Sequence, residues 1–106
     1  MINVNDATFG EVVLDFKGTV FVDFWAQWCG PCKVMLPVYE KLAIAQTSNT
    51  VKFVKYEVGA DNCTEVVREQ QVSGIPTFLC FRDGKRVDEM VGAGVLENFV
   101  SRNLNR

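Results

Sequence analysis

The sequence predicts an α/β domain, a mixed sheet covered by helices on both faces. Three observations carry this. Short β-rich apolar runs alternate with stretches of helical periodicity, which implies parallel strands joined by helical crossovers. Residues 20–26 are apolar on both alternating sets except at Asp23, as in a strand buried on both faces. Residues 77–82 and 86–91 flank Asp83-Gly84, a strong hairpin signal, so the last two strands pair antiparallel.

Taken in order, residues 1–4 are short and apolar, an edge strand. Asn5 or Asp6 can cap a helix whose face is Phe9, Val12, Val13 and Phe16, spaced i, i+3, i+4, i+7, with Gly18 as its stop. The strand 20–26 follows, then Trp28-Cys29-Gly30-Pro31-Cys32. Pro31 suits the first turn of a helix. Met35, Val38, Leu42 and Ala45 give that helix its apolar side, and Pro37 should kink it. Residues 47–50 form a polar loop and 51–58 a third strand. Asp61 can cap a short helix carrying Val66 and Val67, which Ser73-Gly74 breaks. Pro76 opens the strand 77–82, and the hairpin returns as an edge strand over 86–91. Gly92, Ala93 and Gly94 link to a last helix with Leu96, Phe99, Val100 and Leu104 on its apolar side. The order is β-α-β-α-β-α-β-β-α, a single domain over residues 1–106.

Composition narrows the function classes. A net charge of −2 with no basic stripe speaks against nucleic acid as a partner. The apolar runs are strand-length, too short to span a bilayer. The start shows no secretory signal pattern, so a reducing compartment, the cytoplasm, is expected.

Cys29 and Cys32 sit where a buried strand gives way to a helix N-terminus. Free N–H groups and the dipole there stabilise an anion, and the thiolate is the reactive form of cysteine. Cys29 should be the more exposed of the two, and three residues at a helix start bring the side chains within reach of a reversible disulfide. The alternatives are a zinc half-site or a plain structural bridge. The chain has no histidine and no second Cys-x-x-Cys to complete a zinc site, so the redox reading is preferred. Asp23, a lone carboxylate in an apolar strand, should have a raised pKa suited to proton exchange; the alternative is a structural carboxylate paired with a lysine. Cys80, mid-strand, reads as buried and inert. Cys63, after Asp61-Asn62, reads first as a passive thiol; if exposed, it is a candidate regulatory thiol that would allow an oxidative dimer.

Residues 23–33, Asp-Phe-Trp-Ala-Gln-Trp-Cys-Gly-Pro-Cys-Lys, resemble the active-site segment of the thioredoxin family. Residues 72–78, Val-Ser-Gly-Ile-Pro-Thr-Phe, resemble its Ile-Pro-Thr loop, and residues 81–85 with Val91-Gly92-Ala93 its last hairpin. The resemblance implies a thioredoxin fold: a five-stranded sheet in the order 1-3-2-4-5 with four helices. It implies disulfide exchange through Cys29 and Cys32, with Asp23 taking the Cys32 proton and Lys55 in the position of the family's lysine. It implies a cis Ile75–Pro76 bond facing the cysteines. Trp28, Gly30, Pro31, Ile75, Pro76, Val91, Gly92 and Ala93 would then form a docking platform for protein disulfide substrates. No cofactor or metal is implied, and NADPH would be used only by a partner thioredoxin reductase. The protein itself would act as a monomer. Gly59 departs from the pattern, standing where an acidic residue is common. Competing readings are an oxidising isomerase domain, which Gly-Pro between the cysteines opposes, and a binding module with an incidental redox site.

Overall fold

The computed structural model describes residues 1–104. Its core is a five-stranded sheet in the order β1-β3-β2-β4-β5. The strands are β1 Ile2–Val4, β2 Thr19–Trp25, β3 Val51–Glu57, β4 Thr77–Arg82 and β5 Lys85–Val91. The β1, β3 and β2 strands run parallel, whereas β4 is antiparallel to both β2 and β5. This is the expected mixed sheet. The hairpin turn closes with Asp83 at φ 51° and Gly84 at φ 81°, two left-handed residues that match the twist of the paired strands.

Alternation along β2 divides the core into two. Val20, Val22 and Phe24 pack with Val54, Tyr56, Leu79 and Phe81 on one face. That face is covered by a π-helical turn, Gly10–Leu14, and by α2, Glu65–Glu69. Phe21 faces the other way with Phe53 and Phe78, beneath α1, Gly30–Ala45, and α3, Leu96–Leu104.

Several local expectations change. Phe9 and Val13 are buried and Val12 and Phe16 half-buried, as their spacing implies, but the turn closes with Asp15 N–H on the Gly10 carbonyl at 2.9 Å, five residues apart. Asn5 caps it, accepting from the N–H groups of Ala7 and Thr8 at 2.9 and 3.0 Å. Asp6 is not part of that cap. Its carboxylate reaches across the sheet to the start of α2 and accepts from the N–H groups of Thr64, Glu65 and Val66 at 3.0, 2.9 and 2.9 Å, so Asp61 does not cap α2. The inner stripe of α1 runs Cys32, Met35 and Tyr39, with Val38 and Leu42 partly buried and Ala45 exposed. On α3 the inner stripe ends at Asn103, not Leu104. Asn103 is tolerated inside because its Nδ2 donates to Asp88 at 2.7 Å and to the Phe99 carbonyl at 2.8 Å.

Candidate active site

The turn after β2 delivers Cys29 as the N-cap of α1, in extended backbone at φ −99° and ψ 107°. Its Sγ accepts the backbone N–H of Cys32 at 3.2 Å. That N–H is one of the donors a helix start leaves without a carbonyl partner, and Pro31, inside the first turn, has none to satisfy. The two cysteines form a disulfide across a Cα–Cα distance of 5.3 Å, within the range such bonds take. Cys29 is 6 % exposed and Cys32 1 %, the order expected. Cys32 is covered because it begins the inner stripe of α1. Ala26, Trp25 and Ile75 pack around the pair.

Of the residues expected to form the platform, Trp28 is 76 % exposed and Val91 58 %. Gly30, Pro31 and Ala93 are also exposed, Ile75 and Gly92 half-buried, and Pro76 buried. The Ile75–Pro76 bond is cis. Gly92, at φ 82°, donates its N–H to the Pro76 carbonyl at 2.7 Å, which ties the end of β5 to the proline loop. Gly59 sits at φ 86°, a conformation that an acidic side chain in its place would adopt only with strain.

Alternation along β2 puts Asp23 on the same face as Phe21, the face that α1 covers. Asp23 is 1 % exposed, and neither carboxyl oxygen has a hydrogen-bond partner in the protein. Burial pushes its pKa up to about 7, with the nearby Lys55 charge acting in the opposite sense. Lys55 lies directly opposite Asp23 on β3. Among the described residues it forms no ion pair with Asp23, and its Nζ instead stands 5.3 Å from the Trp25 ring centroid. Asp23 is therefore not a salt-bridged structural carboxylate.

Trp25 was not singled out from the sequence, though period-two alternation along β2 puts it on the face of Asp23. Cys80 is fully buried, as expected. Cys63 is buried as well. It is 4 % exposed, its Sγ lies 3.9 Å from the Val4 carbonyl, and burial raises its thiol pKa. The premise of a Cys63-linked dimer, an accessible thiol, does not hold.

The chain matches the Thioredoxin family over residues 1–103. It belongs to the thioredoxin family. It is 47 % identical over 90 residues, 85 % of this chain and 81 % of the relative, to Thioredoxin 1 of Synechococcus elongatus. It is 43 % identical over 91 residues, 85 % of this chain and 81 % of the relative, to Thioredoxin Asp f 29 of Aspergillus fumigatus. A third relative, Thioredoxin M-type, chloroplastic, of Spinacia oleracea, is 37 % identical over 91 residues, 86 % of this chain and 49 % of the relative. The protein is a thiol–disulfide oxidoreductase, and family members work through a redox-active disulfide rather than a bound cofactor. Among the described residues no helix is long and apolar enough to cross a membrane.

Proposed function

We propose that the reduced protein attacks protein disulfides with the Cys29 thiolate. A new Cys29–substrate bond forms and one substrate sulfur leaves as a thiolate. Cys32, deprotonated with Asp23 as acceptor, then attacks Cys29 Sγ. The mixed disulfide breaks, the second substrate thiolate leaves, and the Cys29–Cys32 bond stores the two oxidising equivalents. The short tether makes this second step intramolecular and fast. Lys55 offsets part of the Asp23 charge. Trp28, Gly30, Pro31, Ile75, Pro76, Val91, Gly92 and Ala93 present the apolar docking surface. A thioredoxin reductase using NADPH restores the dithiol, and the protein works as a monomer in the cytoplasm. The observation that carries this reading is the Cys29 sulfur seated on the Cys32 N–H at the start of α1. Reduction of insulin tests it. Cys29→Ser should lose at least about 10³-fold in rate. Cys32→Ser should attack without resolving and leave substrate bound until reductant is added. Equal trapping by both variants would show that the two roles are misassigned.

A further inference from the structure

Val34 is 73 % exposed on α1, the helix that Cys29 caps. A single exposed valine carries no meaning by itself. The position of this one does. Val34 follows Gly30 by four residues and Pro31 by three within one helix, so the three share a face. Gly30 and Pro31 are exposed as well, and a Cβ added at Gly30 would meet nothing within 4 Å. Side chains in a helix tilt toward its N-terminus, so Val34 covers the turn that begins at Gly30. The result is an apolar ledge that starts at Gly30, the residue next to Cys29, and ends at Val34.

We infer that Val34 is a specificity-determining residue: it receives an apolar side chain two positions from the attacked half-cystine of an extended protein substrate. Two repeats match. Val34 stands five residues after Cys29, a rise of about 7 Å along the helix axis. An extended chain advances about 3.3 Å per residue, and every second side chain points the same way. When a half-cystine points at Cys29, the side chain two residues along α1 therefore points at the protein about 7 Å away, over Val34. A reductase of protein disulfides must bring substrate to this place, because the substrate sulfur bonds to Cys29 and Gly30 is the next residue. The ledge presents no charge of its own, so an apolar side chain gains by covering it and a polar one does not.

The inference rests on the proposed attack by Cys29, and the experiment separates the two. The probes are short peptides whose one cysteine is joined by a disulfide to thionitrobenzoate. Leu stands two residues before the cysteine in one peptide and two residues after it in another, and Gln fills both places in a reference. The Cys29 thiolate bonds to the peptide sulfur, the old disulfide breaks, and thionitrobenzoate, the better leaving group, departs with the electron pair as a coloured thiolate. The second-order rate constant of its release is measured for the reduced protein. One of the two Leu peptides should outpace the Gln peptide about fivefold. Val34→Ser should bring that ratio close to one, and Val34→Leu should keep it. A parent with no preference, or a preference that survives in Val34→Ser, overturns the inference. So does a Val34→Ser that slows Leu and Gln peptides alike, because a structural effect on the helix start would do that. Mass spectrometry of Cys32→Ser after the reaction tests the reading beneath. Peptide held on Cys29 without any dependence on Val34 removes Val34 alone, and no peptide on Cys29 removes both.

Discussion

The starts of α1 and α2 solve the same problem with opposite chemistry. Each leaves backbone N–H groups without carbonyl partners and fills the gap with a side chain able to carry negative charge. At α2 that side chain is Asp6, which takes three backbone N–H groups and the Tyr56 hydroxyl at 2.7 Å. Its burial would raise its pKa, but these donors outweigh it and hold the carboxyl well below the usual range. At α1 the side chain is the Cys29 sulfur, and the nearby carboxylate, Asp23, receives no donor at all. A carboxylate given donors is a permanent anion and a structural clip. A carboxylate denied them titrates near neutrality, and the donor goes to the sulfur that must become an anion only when reduced. The active site differs from the structural cap in how its donors are distributed, not in the kind of groups it uses.

The two carboxylates should therefore respond to pH with opposite signs. Asp23 has a folded pKa of about 7, above its ordinary 3.8, so the fold binds its proton more tightly than the unfolded chain does. Its contribution is most favourable below about pH 4, falls as pH rises, and is lost above about pH 7, a span worth about 4 kcal/mol. Asp23→Ala escapes that cost and leaves a cavity costing about 1 kcal/mol. Urea unfolding should find the variant about 3 kcal/mol more stable than the parent at pH 8 and less stable at pH 3. Its Cys32 step should be slower by about 10²-fold. A variant less stable at pH 8 and undiminished in rate would make Asp23 an ordinary structural acid and erase the contrast with Asp6.

Asp6→Ala should act on stability alone. Removing the anion that three N–H groups share should cost about 2 kcal/mol at pH 7. The depressed pKa of Asp6 means that its contribution is present above about pH 4 and fades as pH falls below that, so parent and variant should converge in acid. Exchange at Cys29 should be unchanged. A loss of exchange rate matching the loss of stability would mean that the two helix starts are not independent.

The start of α1 was legible because its signals are local. An apolar run, a helix-starting proline and two cysteines three apart fix strand, helix and reactive pair within a dozen residues, and one carboxylate in an apolar strand announces its own burial. The start of α2 was not legible, because its cap comes from Asp6, some 58 residues earlier. The two meet only because β1 pairs with β3, whose end leads toward α2. The burial of Cys63 was not legible for the same reason: after Asp61-Asn62 it looks like a loop thiol, but the loop folds against β1 and brings its sulfur to the Val4 carbonyl. Tyr39 and Asn103 ran against pattern reading in another way. Both carry polar groups on inward helix faces, and only the positions of their partners, backbone carbonyls for Tyr39 and Asp88 with the Phe99 carbonyl for Asn103, show why they are tolerated there.

The central claim is that the start of α1 stabilises Cys29 as an anion. Alkylation of the fully reduced protein by iodoacetamide across pH, with the modified residue identified by mass spectrometry, measures this directly. Cys29 should react first and titrate at least about one pH unit below the free-thiol value of about 8.5. The buried thiols Cys63 and Cys80 should stay unmodified while the protein is folded. A Cys29 titration at or above the free-thiol value, or Cys32 reacting ahead of it, would contradict the account.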